Sequence, residues 1–137
     1  MKILDDYLFD VIEREAKASP RHRMNYDLRT QGMDEDPEWR DTSQRMLNVM
    51  MKDTMIPVHR HFETSETVIV LRGSGDEVIY NDKGQEVERV TIQYGSECSA
   101  VQVPRNVYHT FIPHEDGTVI FEAKDRAYDP ESTEDLL

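Results

Sequence analysis

Four residues of this chain have types and spacings that could do chemistry together. His59 and His61 are separated by one residue, Glu66 follows His61 by five, and His109 lies far downstream. On a strand, residues two apart project to the same face. A strand through Met55–His61 therefore presents both imidazoles side by side and turns Arg60 the other way. Glu66 opens an apolar, β-branched run, Thr67-Val68-Ile69-Val70-Leu71, that ends near Gly73. Such a run, apolar on both faces, reads as a buried strand. The intervening Phe62–Ser65 is short enough for a hairpin that would bring Glu66 back beside the two histidines. Two imidazoles and a carboxylate make a metal site lacking one ligand. The fourth can be sought downstream, where His109 opens Thr110-Phe111-Ile112 after a turn marked by Pro104 and Asn106. The bland alternative is three unrelated histidines, but each of the four residues stands at the edge of a strand-like run, which favours a metal.

These residues must be carried by strands. Arg45–Met51, Glu77–Tyr80, Glu86–Tyr94, Ser99–Val103, Tyr108–Ile112 and Thr118–Ala123 join the two runs above, giving about eight short strands separated by turns. Asn81-Asp82-Lys83-Gly84 is a hairpin turn and His114-Glu115-Asp116-Gly117 another. The expected fold class is all-β, a barrel or jelly roll. Ahead of it, Ile3, Leu4, Tyr7, Leu8, Val11, Ile12 and Ala16 recur at helical spacing, with Asp5 as N-cap and Pro20 as the stop. The arm Pro20–Arg29 is locally basic and reads either as a linker or as a strand bringing Asn25, Asp27 or Arg29 to the barrel mouth. Gln31–Asp41 reads as a loop, with Trp39 anchoring it to the barrel. The expected organisation is thus 1–41 for helix and arm, 42–128 for the barrel, and 129–137 for a mobile acidic tail.

The block His-x-His-x4-Glu-x6-Gly, followed by Gly…Pro-x-x-x-x-His, resembles the two motifs of the cupin superfamily. The resemblance implies a cupin-type double-stranded β-helix, a jelly-roll barrel with an N-terminal α-helix here. It also implies that His59, His61, Glu66 and His109 hold one divalent metal. Asn106 and Pro113 depart from the second motif; Asn tolerates the left-handed backbone that glycine usually supplies there. The order of Ala18-Ser19-Pro20-Arg21, Gln44-Arg45-Met46-Leu47-Asn48, Pro57-Val58-His59-Arg60-His61 and Tyr128-Asp129-Pro130 is similar to the WbuC family of cupin fold metalloproteins. That likeness implies a role near sugar or nucleotide-sugar metabolism in surface polysaccharide (O-antigen type) biosynthesis.

Composition narrows the classes. The chain has 137 residues and a net charge of −12, from 16 Lys and Arg against 28 Asp and Glu. That argues against nucleic acid and against an anionic membrane surface as partners. No apolar run is long enough to span a membrane. The single cysteine, Cys98, excludes an intrachain disulfide and fits a reducing, cytoplasmic location; it reads as a small buried hydrophobe. Met46, Met50, Met51 and Met55 read as core filler.

Function divides into two classes. One is an enzyme, a sugar isomerase or epimerase-like cupin, using Zn, Fe, Mn, Ni or Co as a Lewis acid on a small-molecule sugar derivative. The other is a non-catalytic metal-dependent binding module. No general base is evident; Glu63, Tyr80, Tyr108 and Glu122 are the options, and His114 is the residue most able to mimic a ligand. Arg21, Arg23 or Arg29 could offset the repulsion of an anionic ligand. Because Val68–Leu71 is apolar on both faces, a partner must cover one of them unless the other sheet or the helix does. A homodimer is expected.

Overall fold

The computed structural model describes residues 1–30 and 35–136. Part of the expected Gln31–Asp41 loop, and Leu137 of the tail, lie outside those residues. Helix α1 spans Asp6–Ala18; the Asp5 carboxylate caps it by accepting from the Leu8 N–H at 3.1 Å, and the chain leaves it at Ser19, just before Pro20. Two antiparallel sheets follow. The first contains β1 (Arg23–Asp27), β2 (Gln44–Met50), β9 (Thr118–Lys124), β4 (Glu66–Arg72) and β7 (Ala100–Val103), in that spatial order. The second runs β10 (Thr133–Asp135), β3 (His59–His61), β8 (Tyr108–Pro113), β5 (Ser74–Tyr80) and β6 (Glu86–Gln93). This is the all-β jelly roll with an N-terminal helix that the strand pattern implies.

Two apolar clusters hold it together. Between the sheets, Met50, Val68, Val70, Ile92, Phe111 and Ile120 fill one end of the barrel. Outside the first sheet, Phe9 and Ile12 of α1 pack on Leu47, Val49 and Val119, with Met24, Tyr26 and Leu71 at the margin. Each such side chain contributes about 1.5–3 kcal/mol when fully buried. The helix therefore covers much of the outer face of β1 and β2. That is why β2 is buried on both faces rather than alternating. Gly75 lies in β5 directly under Phe111: a Cβ there would overlap the Phe111 ring and stand 2.7 Å from the Ile112 carbonyl oxygen. The ring can lie flat on the sheet only because that position has no side chain.

Several sequence expectations change. Phe62–Ser65 does not close a hairpin: β3 belongs to the second sheet and β4 to the first. The four residues form a corner between sheets, and Glu66 faces the histidines across the barrel rather than beside them. The basic arm supplies β1, which pairs along its whole length with β2. The acidic end, expected to be mobile, forms a 3-10 turn at Pro130–Ser132 and then β10, paired with β3. Its backbone bonds are satisfied by the edge of the second sheet. Trp39 is 42% exposed, Met55 is 84% exposed, and Cys98 is exposed in the loop before β7. The Asn81–Gly84 turn joins β5 to β6 as the sequence predicts, with Gly84 at a φ of 78°. Among the described residues, no helix is long and apolar enough to cross a membrane.

Candidate metal centre

Strand β3 directs His59 and His61 into the barrel, β4 adds Glu66 from the opposite sheet, and β8 adds His109 in register with His59. The turn ahead of β8 depends on Asn106, whose φ of 69° places it in the left-handed region, as its side chain allows. One ligand atom from each of the four residues lies within 4.8 Å of the other three. Atoms bonded to one ion at about 2.1 Å stand roughly 3 to 4 Å apart, so small rotations would close the set on an ion. Arg60 projects to the outer face, where it pairs with Glu134 at 2.7 Å and stacks on Tyr108.

The imidazoles are held for ligation through their second nitrogen. Nδ1 of His59 donates to the Pro57 carbonyl at 2.8 Å, and Nδ1 of His109 to the Val107 carbonyl at 2.9 Å. A carbonyl can only accept, so both rings carry a proton on Nδ1 and turn Nε2 toward the cluster. His61 is fixed by a relay. The Thr133 hydroxyl donates to the Asp129 carbonyl at 3.0 Å, and its lone pair accepts from His61 Nδ1 at 3.2 Å. Nε2 of His61 is buried and makes no hydrogen bond; Glu66 Oε2 lies 3.3 Å away but out of line. A buried imidazole nitrogen with no partner is costly unless something else occupies its lone pair. A divalent cation at the centre of the four residues would do so, and the donor set of three nitrogens and one carboxylate suits Zn, Fe, Mn, Ni or Co alike.

The charges are arranged to match. Burial, with the neighbouring His109, lowers His59 to about 4, so this ring is neutral. Burial works against the charged form of His109, but its 2.9 Å bond to Glu66 prevails and raises it to about 9. Burial would likewise raise Glu66; the bond from His109 and the nearby His61 ring instead hold it well below the usual carboxylate range. His109 and Glu66 thus form a buried ion pair, the imidazole holding the proton and the carboxylate ionised.

The tetrad lies beside a cavity of about 410 Å³, lined in part by His59, His61 and Glu66. Its far wall comes from β1, β2 and β9, and its rim from Tyr128, Thr133 and Asp135. Of the acid–base options in the sequence, Glu122 alone lines it; burial and the Glu66 charge push this carboxyl up to about 7. Glu63 pairs with Arg126 on the surface, and Tyr108 is packed under Arg60. His114 binds Asp76 at 2.9 Å and takes no part in the cluster. Arg21, Arg23 and Asn25 line the cavity, whereas Arg29 is spent on Asp27 at 2.8 Å. Phe111 shares the inward face of His109 but belongs to the apolar plug.

Lys124, Gln44 and Thr133 also line the cavity and escaped the sequence reading. The alternation Ile120, Glu122, Lys124 could have flagged the first of these, since all three share one face of β9. Its register against Glu66 could not be read from so distant a segment.

No curated protein matches the sequence. Solved structures share its architecture. CapF, the capsular polysaccharide assembling protein from Staphylococcus aureus, superposes with a TM-score of 0.61 at 20% identity, over 72% of this chain and 28% of CapF. Oxalate decarboxylase from Bacillus subtilis gives 0.60 at 17% identity, over 82% and 27%. ChmJ, a 3'-monoepimerase from Streptomyces bikiniensis determined with dTDP, gives 0.59 at 14% identity, over 67% and 50%. The chain therefore spans half or less of each of these proteins, and likeness at such identities establishes the cupin fold alone. A family model described as a domain of unknown function, DUF6016, matches residues 4–92. With more than half of the chain inside that match, this protein belongs to the DUF6016 family, built on the cupin jelly roll.

Proposed function

We propose that the chain binds one divalent metal through Nε2 of His59, His61 and His109 and the carboxylate of Glu66, and acts through it on a small sugar-derived metabolite. The observation that carries the reading is the convergence of four ligand atoms within 4.8 Å, three of them on imidazoles tied back through Nδ1. Four protein ligands leave a five- or six-coordinate ion with an open side, and an open side separates a working site from a structural one. When bound, the metal would supply Lewis-acid polarisation of a carbonyl or of adjacent hydroxyls. Glu122, buried in the same cavity and raised toward neutrality, is suited to moving a proton there, which favours catalysis over simple binding.

The sequence blocks that resemble WbuC-type cupins, with the capsular polysaccharide assembly of CapF and the epimerase activity of ChmJ, support a place in surface polysaccharide metabolism. A cytoplasmic homodimer is part of the same proposal. The second sheet carries exposed Ile112 on its outer face, and this is the surface offered to a second copy. The test is metal content of the purified protein with and without His61→Ala. About one ion per chain is expected in the parent and a strong loss in the variant. Full occupancy in the variant would sink the assignment.

A further inference from the structure

Lys124 lies in register with Glu66 across β4 and β9, and it is only 9% exposed. Its ammonium has one long contact, 3.5 Å to Gln44 Oε1. Among the described residues, it forms no ion pair. Arg23 also lines the cavity; one nitrogen of its guanidinium donates to Thr54 Oγ1 and the Met55 carbonyl, and it too meets no carboxylate. Six other arginines, Arg29, Arg45, Arg60, Arg72, Arg89 and Arg126, each hold an Asp or Glu within 3.0 Å. The charges of Glu66 and Glu122 reach Lys124, and that of Glu122 reaches Arg23, but among the described residues neither cation is bonded to a carboxylate, so both keep donors free for an anion supplied by a ligand.

The remaining lining suits hydroxyl groups. Asn48 Oδ1 is buried without a hydrogen-bond partner, and Glu122 stands beside it. Both accept from O–H donors. Three cationic side chains, Arg21, Arg23 and Lys124, face three carboxylates, Glu66, Glu122 and Asp135. A divalent ion would leave this lining net positive inside a chain of charge −12. The volume of about 410 Å³ admits on the order of a dozen waters at about 30 Å³ each, room for one monosaccharide. A nucleotide sugar is far larger and would have to leave its nucleotide outside.

We infer that the cavity takes an anionic, polyhydroxylated molecule of monosaccharide size, its anionic group held by Lys124 and Arg23 and its hydroxyls by Asn48 and Glu122. This rests on the metal reading above, since the metal fixes the other end of the ligand. The test uses the cobalt-loaded full chain, titrated with gluconate, glucuronate, glucose 6-phosphate, glucose and UDP-glucose. It is read by the visible cobalt spectrum and by calorimetry.

At least one of the three anionic monosaccharides should bind roughly tenfold or more tightly than glucose, and Lys124→Met should remove most of that preference. The carboxylate and phosphate arms distinguish the two kinds of anion. Metal content of Lys124→Met should stay at the parent level. Glucose binding as tightly as all three anions, UDP-glucose binding tighter than any of them, or anion affinity undiminished in a fully metallated Lys124→Met would overturn the inference. If Lys124→Met fails to fold, the parent's preference together with Arg23→Gln decides. A parent chain that takes up no cobalt fails at the earlier step and overturns the metal reading along with it.

Discussion

The relay from His61 to Thr133 to the Asp129 carbonyl offers the sharpest test of how the site is held. Thr133→Val keeps the shape of the side chain and removes the oxygen that accepts from His61 Nδ1. Losing such an outer partner of a ligating histidine costs about 10- to 100-fold in metal affinity, or roughly 1.4–2.7 kcal/mol. The bond is long at 3.2 Å and Thr133 is only half-buried, so the lower end applies, about tenfold. Thr133→Ser retains the hydroxyl and should retain most of the affinity. The assay is competition for zinc against a chromophoric chelator at fixed pH, with thermal unfolding of the metal-free proteins as a check. Metal-free Thr133→Val should unfold close to the parent, because β10 is held by its backbone pairing and by Arg60–Glu134. Equal zinc affinity in Thr133→Val and the parent would refute the relay. So would equal weakness in Thr133→Val and Thr133→Ser.

Two further outcomes follow from the same geometry. His109, raised to about 9 in the metal-free protein, contributes stability that is fully present below the unfolded value near 6.5 and is lost as pH rises through about 9. Metal must displace that proton, so uptake at pH 7.5 should release close to one proton, and affinity should climb about tenfold per pH unit between about 6.5 and 9. Calorimetry in buffers of different ionisation enthalpy counts the proton; a pH-independent affinity would contradict the His109–Glu66 pairing. Gly75→Ala forces a methyl group into the Phe111 ring and should destabilise the fold by about 1–3 kcal/mol. Chemical denaturation reads this directly, and an unchanged midpoint would show that the close approach is misplaced.

The four clustered residues were legible because strand alternation is local. His59 and His61 face the same way whatever the rest of the chain does, and Glu66 and His109 each begin a strand-like run. What joins them was not legible. The corner at Phe62–Ser65 and a hairpin look alike in sequence, since both need a short polar link; the difference lies in which distant strand each partner meets. Lys124 escaped for the same reason, its neighbour Glu66 being set by long-range register. The end of the chain was misjudged through composition. Acidic residues normally mark a solvated tail, but Thr133–Asp135 gains its place from the free edge of β3, which no local pattern announces. Cys98 shows the converse error: a residue type that is usually buried falls in a loop.

The interior of the barrel is divided along its length, polar and ligand-bearing toward the cavity and apolar at the plug of Met50, Val68, Val70, Ile92, Phe111 and Ile120. The plug and the helix seal are complete without any of the four clustered residues. An ion is then a guest of a finished scaffold rather than the nucleus of one. On the proposed metal reading, the protein should be emptied and refilled without unfolding, and the ion it carries should follow supply and exchange after folding. Stripping the ion should lower the melting temperature only by the binding term, leaving a cooperative transition behind.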